Sequence, residues 1–213
     1  MNTLILTAIR CSLMFLVPSV TYAISAQWDL DPISGDWNTA TNWTPDEVPN
    51  GSADTATFGF SHTTDVSISA NTEVNSIVFT SAATNPYNIS ASFDLTLLIS
   101  GTGIINNSGI VQNFTTNGRP LGFTNDATAG NLTTFTNNPG VNTIGGGRTA
   151  FFNTSSAGSA TFINKGFLTS TFFLTARLQR TAFSLIKQAM SRTMGLEAQR
   201  VLSARQVQAK PHS

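Results

Sequence analysis

Side chains able to do chemistry are few and scattered in this chain. Its 213 residues include 11 Asp and Glu, two His and one Cys. Glycoside chemistry on a protein surface needs two carboxylates converging within ~5–9.5 Å, yet only Asp46 and Glu47 are adjacent. Successive strand residues point to opposite faces, and both follow Pro45 in a turn, so this pair reads as solvated surface. His62 is alone in the body of the chain and His212 sits near its end. Together they assemble neither a Ser-His-Asp triad nor a multi-histidine metal site. Gly145-Gly146-Gly147-Arg148 has the glycines of a phosphate-cradling loop, but no Lys-Ser/Thr follows and no helix is expected there. The aspartates of a calcium-binding β-roll are missing too, so the triplet reads as a flexible coil corner. Triplets such as Asn88-Ile89-Ser90 and Asn131-Leu132-Thr133 match the glycosylation pattern by chance in so Asn- and Thr-rich a chain. No catalytic, cofactor-binding or metal-ligating residue is assigned, no cofactor is expected, and the chain reads as a non-enzyme.

The elements that carry these residues follow from composition. Charged residues make up 10% of the chain, against the ~25% usual in globular proteins. Thr, Asn, Ser, Gly and Phe take their place. Short β-tolerant side chains with few long aliphatics favour backbone-paired sheets over a helical core. The net charge of zero conceals a division: residues 24–164 hold ten acids against two bases, a net −8, whereas residues 165–213 hold eight bases against Glu197, a net +7.

At the N-terminus Arg10 precedes the apolar run Leu13-Met14-Phe15-Leu16-Val17, then Pro18, with Thr21 and Ala23 at small positions. This is the layout of a secretory signal peptide over residues 1–23, cut after Ala23. The run is well short of the ~20 residues a bilayer span needs. Cys11 falls inside the leader, so the mature chain has no cysteine for a disulfide, a thiolate metal site or a nucleophile.

Trp28, Trp37 and Trp43 fall within sixteen residues, interspersed with Pro, Gly, Asn and Asp. Residues 24–59 therefore read as an aromatic cap, since a repeat protein needs atypical ends; the competing reading is a carbohydrate-stacking platform. Strand-length stretches follow at 65–69, 76–80, 87–90 and 95–99, bounded by Asn, Gly, Ser or Pro. Sliding the sequence on itself by 28 residues lays FTNDATAGNLTTFTN, from Phe123, over FFNTSSAGSATFIN, from Phe151. Phe123 then matches Phe151, Asn125 matches Asn153, Gly130 matches Gly158, and Thr133 matches Thr161. An Asn turn ending in Gly recurs at 105–109, 136–140 and 163–166. The expected fold is all-β, a right-handed parallel β-helix or β-solenoid over residues 60–166, with Gly and Asn at the corners and about four coils. A non-solenoid tail, helical or disordered, occupies residues 167–213.

In that tail Leu174, Leu178, Leu185, Ala189 and Met190 fall near one helical face among Arg177, Arg180, Lys187 and Arg192. One reading is a membrane-surface or nucleic-acid-binding arm. The other is a segment out of frame. Shifting the codons of Thr171 to Gln188 by one base permits FFDSSTAANGIFINKAG, which parallels the in-frame FFNTSSAGSATFINKG from Phe151. The charge reversal and the loss of the repeat coincide there, so a frameshift is the preferred reading and no nucleic acid is expected as a partner.

The opening GDWNTATNW, then VPNG and DTATF, resembles the start of bacterial autotransporter passengers carrying the autotransporter-associated β-strand repeat. GGGRTAFFNTSSAGSATFIN resembles a repeat unit of the same surface proteins, and the resemblance spans residues 26–166. It implies a signal peptide, a β-helical passenger displayed outside the cell and, normally, a C-terminal outer-membrane barrel. Barrel strands of ~9–11 residues repeated at least eight times do not fit the 47 residues after Gly166. The expected function is that of an exported fragment, at the cell surface or outer membrane or secreted. Its role would be structural or adhesive, towards a surface, carbohydrate or protein ligand. The alternatives are a β-helix carbohydrate-active enzyme and a non-functional product of a frameshifted gene. The coding DNA tests the tail: the alternate frame should stay open and continue the repeat, and a stop codon within it rules the frameshift out.

Overall fold

The computed structural model describes residues 23–91, 94–140, 145–166 and 168–174. The proposed leader up to Tyr22 and the tail beyond Leu174, including Leu178, Leu185, Ala189 and Met190, lie outside the described residues.

The described chain is an all-β solenoid. Its strands are β1 (Ser25–Trp28), β2 (Trp43–Thr44), β3 (Gly51–Phe58), β4 (Asp65–Ile68), β5 (Thr72–Phe79), β6 (Asn88–Ala91) and β7 (Leu97–Asn106). They continue as β8 (Gln112–Thr116), β9 (Pro120–Phe123), β10 (Thr133–Asn137), β11 (Arg148–Phe152), β12 (Thr161–Asn164) and β13 (Ser170–Leu174). The chain alternates between two sheets, so each strand lies on the strand one coil earlier. The first sheet has the order β13-β11-β9-β7-β5-β3-β1-β2 and the second β12-β10-β8-β6-β4. Every pairing is parallel except β1 with β2. The only helical element among the described residues is a 3-10 turn at Ala40–Asn42.

Register breaks in the long strands create a third ladder. In β5 and β7 the pairing steps from Val74↔Ile99 to Ser76↔Gly103. The first halves continue onto β9, β11 and β13; the second halves lie against β3, whose Thr55–Thr57 in turn pair with β1. In later coils this ladder narrows to single bridges, Gly103↔Thr128↔Ser156.

Coil length varies, which changes the expected count. Phe58 and its partner Phe79 are 21 residues apart, Val74 and Ile99 are 25, and Phe123 and Phe151 are 28. The shorter coils let five strands stack in the second sheet rather than about four. Phe123↔Phe151 and Thr128↔Ser156 follow the 28-residue slide, but Thr161 pairs with Thr134 and not with Thr133. The extra residue is taken up after Gly130, where Leu132 has φ +50. Asn125 and Asn153 match as expected, both in the left-handed region with φ +55 and +57, which Asn tolerates better than most residues. Gly130 and Gly158 also have positive φ. A Cβ on Gly158 would come within 2.5 Å of the Gly130 carbonyl oxygen, so this corner admits only glycine in the upper coil.

The Asn-Gly echo stacks only in part. Asn137 pairs with Asn164 in the second sheet, whereas Asn106 ends β7 in the first sheet opposite Phe79. Gly145-Gly146-Gly147 is not a loose corner either. Gly146 and Gly147 are buried, and Gly147 packs on the Thr116 backbone too closely for a side chain while donating to Asn138 O at 2.8 Å. The ladder also runs past the expected boundary at Gly166. Five residues of β13 pair with β11, so Leu174, placed on a helix face by its spacing, belongs to a strand.

Two phenylalanine ladders hold the coils in register. Phe114, Phe135 and Phe162 stack with centroids 5.0 and 5.2 Å apart. Phe123, Phe151 and Phe173 stack at 4.9 and 4.8 Å. Edge-to-face contacts link the two, Phe123 to Phe135 and Phe151 to Phe162, each at 5.7 Å. Burying Phe114, Phe123, Phe135 and Phe151 stabilises by about 1.5–3 kcal/mol each, whereas Phe162 is half-buried and Phe173 exposed at the end of its stack; each favourable ring pair adds about 0.5–1.5 kcal/mol. Asn137, fully buried, ties three coils together. Its Oδ1 accepts from Thr116 and Thr149 hydroxyls, and its Nδ2 donates to Asn164 Oδ1 at 2.7 Å.

The tryptophans form the first coil. Trp28, Trp37 and Trp43 are each 0% exposed, packed on one another and on Phe58 at 5.0–6.0 Å. Their indole N–H groups donate to the carbonyls of Thr63, Pro49 and Trp37. Rings so enclosed present no face to a sugar, which removes the stacking-platform reading. Residues 35–37 add a further rung under β4 through the Asp36↔Ser67 bridge.

Phe135→Ala should therefore cost about 3–5 kcal/mol in urea unfolding, because it interrupts both the ladder and its cross-contact. Tyr87, also buried, donates its hydroxyl to Gly59 O at 2.8 Å. Burial pushes its ionisation up to about 12, against a lowering contribution from Ser61. A raised folded value means the contribution to stability is complete below pH ~10 and is lost as pH rises through about 12. The chain has two tyrosines, Tyr22 and Tyr87. In a Tyr22→Phe chain, alkaline absorbance titration should give a midpoint near about 12; a midpoint at the ordinary ~10 contradicts the burial.

Candidate binding face

The second sheet presents the most regular surface of the described molecule. Its strands alternate inward residues, apolar or, like Gln112, Thr116, Thr133 and Asn137, buried and polar, with outward ones that are polar except Ile163, the period of two that a one-face-buried sheet requires. Inside lie Val66, Ile89, Phe114, Phe135 and Phe162. Outside, register aligns Asp65, Asn88, Asn113, Thr134 and Thr161 in one column. Ser67, Ser90, Thr115, Thr136 and Ile163 form a second. Neighbours within a column are set ~4.8 Å apart by strand spacing, and the columns ~6.6 Å apart by two residues of rise. Asp65 is the single charged group in the array.

Side-chain bonds hold part of this array in a fixed order. Asn88 Nδ2 donates to Asp65 Oδ1 at 2.7 Å, and Asn113 Nδ2 donates to Asn88 Oδ1 at 3.2 Å. At the next corner Asn138 Nδ2 donates to Asn117 Oδ1 at 2.9 Å, and Asn117 Nδ2 to Ala91 O. Below the array, burial pushes the Asp36 carboxyl up, but hydrogen bonds from Ser69, Thr39 and Asn38 outweigh it and hold Asp36 below its ordinary value. The matching column of the first sheet is different: Glu73 is followed by Leu98, Gly122, Ala150 and Phe172, of which Gly122 and Ala150 are buried.

The titratable residues considered in the sequence are placed apart from this face or from each other. Asp46 and Glu47 are both exposed in the segment after β2. His62 does find a carboxylate: its Nδ1 lies 2.6 Å from Asp31 Oδ1, with the two side chains 62% and 72% exposed. Asp29, which accepts from the Thr44 hydroxyl, lines a shallow cleft with Gln27, Leu30, Asp31 and Thr44. The nearby Ser61 hydroxyl is engaged with the carbonyls of Leu30 and Thr63 and is 2% exposed. The pair thus has a base and an orienting acid but no hydroxyl directed at it from Ser61. Among the described residues no group of three or more His, Cys, Asp and Glu side chains is placed to hold a metal.

None of these column residues stands out as a site residue in the sequence. Their signal was present as polar residues two apart in each strand, such as Asn88 and Ser90 or Asn113 and Thr115. What could not be read was which strand would stack on which.

Replacing outward, half-buried Thr115 and Thr136 together by Lys sets two like charges on neighbouring strands, so the thermal midpoint should fall by only a few degrees, a loss of about 1–2 kcal/mol. A large fall would show that the face carries the fold rather than decorates it. The chain matches no protein-family model, no curated protein and no solved structure at a significant level.

Proposed function

We propose that this protein is an exported, non-catalytic surface module, structural or adhesive, that works by presenting the outer face of its second sheet to a partner. The observation that carries this reading is the array itself: two columns in register, nine polar residues and Ile163, fixed on a stack of parallel strands. A face with one charge recognises a partner by shape and hydrogen bonding rather than by charge, which suits a neutral, hydroxyl-rich surface. The leader-like N-terminus supports export, and the resemblance of GDWNTATNW and AFFNTSSAGSATFIN to autotransporter passengers supports display at the outer membrane or release from the cell.

The experiment uses the whole chain expressed in a bacterium with an outer membrane. Recovery outside the inner membrane, and retention of the purified protein on neutral polysaccharides, is the expected result. The Thr115→Lys/Thr136→Lys chain should lose at least ~90% of that retention, the effect of placing unpaired charges against a neutral partner. Confinement to the cytosol overturns export, and depolymerisation of any polysaccharide tested overturns the non-catalytic reading.

A further inference from the structure

Asp54 is a carboxylate without a cationic partner, and its position points to the start of the mature chain. It lies in β3 and is 5% exposed. Its Oδ1 accepts from the backbone N–H of Ile24 at 2.8 Å and its Oδ2 from that of Asn50 at 3.0 Å. The ion pairs among the described residues are His62 with Asp31 and Arg119 with Asp94, so none supplies a counter-charge to Asp54. A buried carboxylate held only by neutral donors bears a desolvation cost that a positive charge would offset.

Ile24 is fixed at this spot by two further contacts and by its place at the start of a strand. Its carbonyl accepts from Thr55 N–H at 2.8 Å, its side chain packs against the core, and β1 begins at the next residue. Ala23, immediately before it, is exposed. Thr21 and Ala23 are the small residues that mark a leader cut, which would fall between Ala23 and Ile24. The nitrogen released by that cut is the same atom that already donates to Asp54.

We propose that removal of the leader after Ala23 creates a clamp, the Ile24 α-ammonium ion-paired with buried Asp54, which locks the first coil only once the chain has been processed. This rests on the export reading. The step is hydrolysis by a leader peptidase of the exporting membrane: water adds to the Ala23 carbonyl carbon and the C–N bond breaks. Ala23 leaves as a carboxylate with the leader, and the Ile24 nitrogen takes both protons of the water to become an ammonium. A neutral amide donor is thereby replaced by a charged one at the same distance, and charge-assisted hydrogen bonds of this kind are about twice as strong as neutral ones. The precursor lacks the ion pair, so its N-terminal coil is held less firmly until the leader is gone.

The test starts from the full chain expressed with its leader in a bacterial host, with the product's N-terminus read by mass spectrometry. A product beginning at Ile24 is expected. Its α-amine should react with acetic anhydride at neutral pH roughly ten-fold more slowly than that of an unstructured peptide, as an engaged ammonium does. Asp54→Asn should lower the thermal midpoint of the processed chain by several degrees more than that of a chain extended by Met-Gly before Ile24. If the processed Asp54→Asn chain does not fold, acetylation of the wild-type amine must by itself lower the midpoint. A cut elsewhere, an amine of ordinary reactivity, or equal losses in the processed and extended chains overturns the clamp and leaves export standing. An uncut chain retained in the cytosol overturns both.

Discussion

Every feature of this molecule depends on one constraint: the backbone of each coil finds its hydrogen-bond partners in the coils before and after it. Two strands per coil meet this requirement in two sheets, and the third ladder does so in the coils where β5 and β7 are long. Side chains then have little choice. Parallel in-register pairing brings each residue over its equivalent, so a Phe in one coil favours a Phe in the next, and the two phenylalanine ladders follow. Because the constraint acts on the strands and not on the connections, coil length can vary from 21 to 30 residues without loss of stacking.

The same constraint makes the ends a hazard, since an open strand edge is a template for association. At the N-terminal end the solution is built from residues 24–44. β2 turns back antiparallel on β1, and three buried tryptophans fill the interior where a further coil would lie. Each indole N–H reaches a backbone carbonyl, so large aromatics close the end without leaving a buried donor unpaired. The carboxylate of Asp54 collects the backbone groups where the chain enters. This arrangement makes the entry of the chain part of the cap.

The surface follows from low charge. In a solenoid with few acids and bases, solubility must come from hydroxyls and amides, and register sets these in columns. A nearly uncharged, regularly spaced face is a consequence of the fold. The first sheet has the same stacking but an apolar column of Leu98, Gly122, Ala150 and Phe172, with Gly122 and Ala150 buried, so stacking by itself does not make a polar face.

The sequence by itself determined the fold class, the position of the tryptophan cap and the alignment of Phe123 with Phe151 and of Asn125 with Asn153. These are local or strictly periodic signals: strand-length alternation, turn residues and a repeat. Tertiary structure alone decided the rest. It moved Thr161 from Thr133 to Thr134, put Asn106 on a different sheet from Asn137, carried the ladder through Phe173, and brought Asp31 to His62 and Asp54 to Ile24. The physical reason is that these pairings depend on how many residues each connection absorbs before the next strand begins. That number is set by three-dimensional closure of the coil and leaves no periodic trace in the chain.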